Sequence, residues 1–485
     1  MRLVPNDGCR RVLVTAVGLV FAVLAVGCSG PPAPSAQAGG GGHQVPACPR
    51  PASPGQPLTH PPPITATTVA TLGQAYSCVL DNWADGATLD DRVLITGAFA
   101  GLTQELQRRG LDQATAMLPA LTGNHDGDWT SAGSVLQWVV DALPADPQVR
   151  QAVLAAAMNG LVASLHDDHV SWVRSFGGGL PSLGVITSVQ IARRDAMPPL
   201  FVTAVEPGSP AAAAGLQPGD VLTTVNGVVP FANGQLNTGA LAQVSDVAAY
   251  YSGAPPSRDP VLLALNRPST GRDWSVALTP GLVPRPPPVS ATALGADIAE
   301  VKLTAFGPNA AAMVFTAIAN LHLGDKLRGV ILDLRGNGGG LPTEVARLLG
   351  GFVHGKVWGF DVDRNGVRTA NHTDDTVALL HQPLVVLTDR DCVSACDAFS
   401  DAVKDLHIGT LVGTRTAGNV AGPAYPYLLN DGSLLALPTA HTLGANGEII
   451  DGIGVAPDYN APVTPQALST GHDPAVDKAL SLLGH

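Results

Sequence analysis

Charge is scarce in this chain: only 14% of its 485 residues are Asp, Glu, Lys or Arg, and their formal sum is −12. Basic residues nowhere build a stripe, so the electrostatic footprint of a nucleic-acid binder is missing and that class of partner is set aside. The apolar stretch from Val12 to Val26 is too short to span a bilayer comfortably. Cysteine is sparse as well, and none of the six falls in the two-residue spacing of a zinc knuckle with a histidine at ligand distance. No metal and no cofactor is therefore expected. What is plentiful is apolar material, 45% of the chain, enough for two or three domain cores.

The first residues read as a targeting segment, because Arg10 and Arg11 precede the apolar stretch and Gly27-Cys28-Ser29-Gly30 follows it. Leu24-Ala25-Val26-Gly27-Cys28 resembles the lipobox of bacterial lipoproteins, with Ala25 where that family more often has leucine. The resemblance implies a signal over residues 1–28, lipidation at Cys28 and an anchor on the extracytoplasmic side of a cell membrane; the alternative is an ordinary cleaved secretory signal. Residues 29–63 are rich in Pro, Gly, Ala and Ser and cannot bury enough apolar surface to fold, so they form a tether. Outside the leader, four cysteines permit two disulfides in an exported protein. Proximity pairs Cys48 with Cys78 and Cys392 with Cys396, although four cysteines allow three pairings.

Three textures follow, giving a multidomain α/β and α+β chain. Over 64–178 apolar residues recur at helical spacing, as in Val93, Leu94, Ala98, Leu102 and Leu106, and predict a helical domain. Over 179–282 short β-like runs alternate with turns. There Glu206-Pro207-Gly208-Ser209-Pro210-Ala211, then Gly215-Leu216-Gln217-Pro218-Gly219-Asp220 and Asn226-Gly227, resemble a PDZ domain. The resemblance implies a groove that takes a peptide C-terminus by strand addition, its carboxylate held near Leu183, Gly184 and Val185. A degenerate domain serving as a spacer is the alternative. Over 283–485 strands and helices alternate, which argues for an α/β layered domain ending in a packing helix over Pro474–Leu483.

That last region carries the chemistry. The buried run Gly329-Val330-Ile331-Leu332-Asp333-Leu334 opens straight into Gly336-Asn337-Gly338-Gly339-Gly340, a loop whose backbone N–H groups can hold an oxyanion. A phosphate cradle would need the Gly-Lys-Ser/Thr ending, which is absent. A second strand, Leu384-Val385-Val386-Leu387, leads to Ser394 at the start of a helix, where the dipole and the Ala395 N–H favour developing negative charge. The bland alternative for Ser394 is a plain helix cap.

The order of helical segment, PDZ, glycine loop, Ser394-Ala395-Cys396-Asp397 and Gly452-Ile453-Gly454-Val455-Ala456-Pro457-Asp458 resembles the carboxyl-terminal processing proteases, with their S41-type peptidase domain. The likeness runs from about Thr67 to the end. It implies a serine endopeptidase with Ser394 as nucleophile, Gly336, Gly338, Gly339 and Ala395 around the oxyanion, and polypeptides with free C-termini as substrates. It also exposes a departure, because 25 residues after Ser394, where the family has a lysine base, stands Asn419, which cannot take a proton. Three substitutes are named. Lys302 sits where the tricorn branch carries a histidine, and Asp451 where it carries a glutamate; His169 in His166-Asp167-Asp168-His169 has carboxylates beside it to orient an imidazole; His441 lies on a strand after Asn430-Asp431-Gly432-Ser433. A catalytically silent peptide-binding scaffold is the alternative to a peptidase.

Overall fold

A computed structural model describes residue 48 and residues 63–167, 169–174, 181–190, 196–251, 258–284 and 287–485. The expected leader with Cys28, nearly all of the tether, and Asp168 lie outside the described residues. Among the described residues no helix is long and apolar enough to cross a membrane.

The first region folds as helices α1 (Val69–Asn82), α2 (Arg92–Arg109), α3 (His125–Asp141) and α4 (Pro147–Ala163), then strand β1 (Ser171–Val173). Each start has a local cause. The Thr68 hydroxyl accepts from Thr71 N–H, Asn124 from Gly127 N–H, and Asp146 from Gln148 N–H with Pro147 fixing the first turn. Helices α2 and α4 cross backbone to backbone: a Cβ on Gly101 would lie 2.1 Å from the Ala156 carbonyl oxygen, so only glycine permits that approach. Leu72, Leu94, Leu102, Leu136 and Leu161 are fully buried, each contributing roughly 1.5–3 kcal/mol. This core is not closed locally, because Tyr427, Leu429, Leu435 and Leu437 belong to it.

The second region comprises β2 (Val185–Thr187), β3 (Val202–Val205), α5 (Pro210–Ala213), β4 (Val221–Val225), β5 (Phe231–Ala232), β6 (Gln235–Leu236), α6 (Thr238–Val244), α7 (Asp246–Tyr251), β7 (Val261–Arg267) and β8 (Arg272–Leu278). Its own core gathers Leu183, Val202, Leu222, Leu241 and Leu263. Asn226 and Gly227 both adopt positive φ at the turn that follows β4, as the Asn-Gly pair predicts.

The third region holds β9 (Val289–Leu294), β10 (Ile298–Leu303), α8 (Ala310–Asn320), β11 (Gly329–Asp333), α9 (Pro342–Gly350), β12 (Val357–Asp363), β13 (Arg368–His372), β14 (Leu384–Thr388) and α10 (Ala395–Asp405). It continues through β15 (Gly409–Gly413), β16 (Ala424–Leu428), β17 (Leu434–Pro438), β18 (Ala440–Gly444), β19 (Tyr459–Asn460), α11 (Pro465–Ser469) and α12 (Pro474–Leu482). A six-stranded sheet in the order β19-β15-β14-β11-β10-β9 is parallel except where β9 pairs with β10. One face packs on α8, α9 and α10 through Val301, Leu332, Val386 and Phe399; the other packs on α12 through Ile298, Ile331, Val385 and Leu387. Burial on both faces explains why these strands read as continuous apolar runs. A smaller sheet, β1-β17-β16, joins the first region to the third, with Ser171 opposite Ala436.

Candidate active site

Ser394 caps α10 from a strained conformation, φ 60° and ψ −118°, that a side-chain-bearing residue rarely adopts. Every residue from Asp391 to Ser400 is buried except Ser394, which is partly open. Strain held by surrounding contacts is a mark of functional positions, and the contacts are plain. The Ser394 N–H donates to Asp397 Oδ2 at 3.0 Å and to the Asn419 carbonyl at 2.8 Å. Asp397, wholly buried, also accepts from the Gly418 and Asn419 N–H groups. Burial pushes its pKa up to about 6, against the pull of Thr416 and those amides.

The glycine loop presses on this turn. Gly339 has φ +90°, and a Cβ there would lie 2.7 Å from Ser394 Cβ and 3.0 Å from the Ala395 nitrogen. Asn337, fully buried, organises the loop: its Oδ1 accepts from Gly339 N–H, its Nδ2 donates to the Leu303 carbonyl, and its own carbonyl accepts from Val393 N–H. Asn337 and Asp397 were not singled out from the sequence. A polar residue set among glycines, and an acid three places after a cap serine, were the available signals.

Of the four groups expected around an oxyanion, two are already engaged. The Gly336 N–H donates to Asp389 and the Gly339 N–H to Asn337. The Gly338 and Ala395 amides make no hydrogen bond to the described residues, so of the four they are the two left free. Gly336 instead meets the second region, since a Cβ there would lie 3.1 Å from Gln190 Nε2.

Lys302 is not brought to Ser394. It alternates with Leu303, so it leaves the sheet on the α12 side while Ser394 heads a helix on the other. Its Nζ is 3.1 Å from Asp333 and from the Arg335 carbonyl. Burial works against the Asp333 charge, yet Lys302 and Arg335 hold that carboxyl far below its ordinary range. Held to Asp333 on the far side of the sheet, Lys302 is not placed to take the Ser394 proton, which corrects its standing as one of the three substitute bases. His441 is likewise committed, exposed and 2.9 Å from Asp85. Asp451 does approach the site: its carboxylate accepts from Val420 N–H at 3.0 Å, next to Asn419.

His169 is buried, and its Nδ1 lies 3.4 Å from Asp167 Oδ1. Trp83 Nε1–H donates to the other carboxylate oxygen at 2.8 Å. Burial opposes the Asp167 charge, while His169 and Trp83 hold its pKa below the ordinary value. The His169 Nε2 is buried and meets no hydrogen-bond partner among the described residues. Two residues after His169, Ser171 starts β1 opposite Ala436 of β17; among the described residues no hydrogen bond joins His169 to Ser394.

The two disulfides favoured by proximity are formed, Cys48–Cys78 and Cys392–Cys396, and the second brackets Ser394. In the second region Leu183 and Val185 are buried, the Gly184 N–H donates to Ser182 Oγ, and β2 pairs with β3 alone among the described residues.

Comparison with known proteins agrees with this layout. Residues 297–461 match peptidase family S41 and residues 201–257 match the PDZ domain. The chloroplastic C-terminal processing peptidase of Tetradesmus obliquus is 28% identical over 355 residues, covering 68% of this chain and 72% of that protein. The tricorn protease of Thermoplasma volcanium is 31% identical over 156 residues, 32% of this chain and 14% of that one. Among solved structures, the photosystem II D1 C-terminal processing protease superposes with a TM-score of 0.51 at 22% identity, covering 87% of this chain and 98% of its own. This chain therefore carries a peptidase family S41 domain and a PDZ domain, and its homologues are C-terminal processing peptidases and tricorn-like proteases.

Proposed function

We propose that this chain is a serine endopeptidase of the cell envelope that captures the free C-terminal tail of a polypeptide in its PDZ groove and cleaves nearby. The tail adds as a strand to the open edge of β2, its carboxylate near Leu183, Gly184 and Val185. Ser394 Oγ attacks the scissile carbonyl, and the Gly338 and Ala395 N–H groups receive the oxyanion. His169 Nε2 takes the serine proton and returns it to the leaving amine, while Asp167 fixes the ring and stabilises the imidazolium. Asp451 holds the 418–420 loop in place beside Ser394.

The observation that carries this reading is the buried, unpartnered Nε2 of a histidine whose other nitrogen faces a carboxylate. It supplies the base that Asn419 lacks. Hydrolysis of an unstructured polypeptide tests it: Ser394→Ala should abolish turnover, and His169→Ala should lower kcat by roughly 10²–10⁴-fold while tail binding persists. Full activity in His169→Ala would sink the assignment. Asn419 favours a second reading, a peptide-binding scaffold without turnover. Tail binding by the unaltered chain with no hydrolysis, and no change in either on Ser394→Ala, would select it.

A further inference from the structure

Two turns into α10, Asp401 and Asp405 stand one above the other at a four-residue spacing. The turn after β18 brings a third carboxylate to them, because Gly444 N–H donates to the Glu448 carbonyl and Gly447 N–H to that of Gly444. One oxygen from each of Asp401, Asp405 and Glu448 lies within 4.8 Å of the others. Asp401 is 7% exposed, and neither its Oδ2 nor Glu448 Oε2 has a hydrogen-bond partner among the described residues. A Cβ on Gly444 would lie 2.4 Å from both Asp401 Oδ2 and Glu448 Oε1, so these oxygens converge on one point beside bare backbone.

The basic side chains nearby do not neutralise the group. Lys404 turns to Asp458 and the Ala456 carbonyl, Arg368 lies over the Phe360 ring, and Asn446 Nδ2 donates one neutral hydrogen bond to Asp405. Without a cation, burial and the charges of Glu448 and Asp405 push Asp401 up to about 8, and burial with the Glu448 carboxylate raises Asp405 to about 6.

We propose that Asp401, Asp405 and Glu448 bind a hard divalent cation, calcium by preference, that fastens the helix headed by Ser394 to the turn after β18. Three carboxylates offer up to six oxygens, and two of the residues are open enough for water to complete the six to eight ligands calcium takes. Oxygens within 4.8 Å of one another can all reach one such ion, and calcium accepts an irregular, partly hydrated set of carboxylates where magnesium demands a near-ideal octahedron. Zinc would want nitrogen or sulfur, and the group has neither. The proposal is independent of whether Ser394 turns over substrate.

The test is calorimetric titration of CaCl₂ into the full chain stripped with a chelator, beside thermal unfolding in the same solutions. The expected result is one site with Kd on the order of 10⁻⁴–10⁻³ M and a rise in Tm of about 2–4 °C at ten times Kd that continues logarithmically with added calcium. Asp401→Asn with Glu448→Gln should abolish both responses, and that variant should melt above the stripped parent because its carboxylate repulsion is gone. Absence of heat and of any Tm change in the parent, an equal change with KCl at matched ionic strength, or a calcium response that survives in the double variant would each overturn the proposal.

Discussion

On the α10 side of the central sheet the strands close with Leu303, Leu334 and a glycine loop pressed on Ser394; on the α12 side the adjacent residues are Lys302, Asp333 and Arg335, the last reaching Asp473 at the cap of α12. One residue of register separates the two sets, and that step decides the chemistry. The first face sets backbone amides beside Ser394, with the Asp397 carboxyl buried beneath the same turn and Asn337 ordering the loop, so what remains for a developing negative charge is unengaged N–H groups. The second spends its cations on a buried carboxylate, which settles structure on the side of the sheet away from Ser394. Proximity along a strand is thus a poor guide to partnership; parity is the better one.

The comparison breaks hardest at Gly339. Gly339→Ala should cut turnover by at least about 10²-fold, because its Cβ would intrude on Ser394 and φ +90° is unfavourable for alanine; steady-state kinetics of a variant that retains tail binding reads this out. Asp397→Asn sharpens the picture next. The native pKa of Asp397, about 6, lies above its unfolded value of about 4. The folded state therefore holds the extra proton, and this group's contribution to stability falls by about 3 kcal/mol as pH rises from 4 through 6. Comparing urea midpoints of the two proteins across that window should show the slope removed in the variant. The smallest effect belongs to Lys302→Ala. Turnover should stay within a few-fold of the parent, and stability should drop by about 1 kcal/mol or less, since the half-exposed lysine is screened and Arg335 remains on Asp333. Loss of activity matching Ser394→Ala would return Lys302 to the site.

Much of the α/β region was legible because strands buried on both faces announce themselves as apolar runs, and Ser394 and the glycine loop follow such runs directly. The engaged amides of Gly336 and Gly339 were not legible, since their acceptors, Asp389 and Asn337, are fixed by a loop path that no periodicity encodes. Along β10 Ala299, Val301 and Leu303 alternate with Glu300 and Lys302, so the parity of Lys302 was legible, but with both faces of the sheet packed by helices the pattern does not say on which side α10 lies. The carboxylate group of α10 and the β18 turn was missed for a different reason: its third member lies 43 residues beyond Asp405, and only the tertiary fold brings them together.

The pairing of β1 with β17 has a consequence in time. Trp172 donates to Ser433 across a sequence separation of 261, and the helical core is incomplete until residues near Tyr427 arrive. Contacts of such long range form late, because a large loop must close first. During synthesis the segment bearing β1 is thus made well before the segment bearing β17, and the two pair only once the later one has been made. A chain that ends before β16 and β17 therefore leaves its helical core open where Tyr427, Leu429, Leu435 and Leu437 belong.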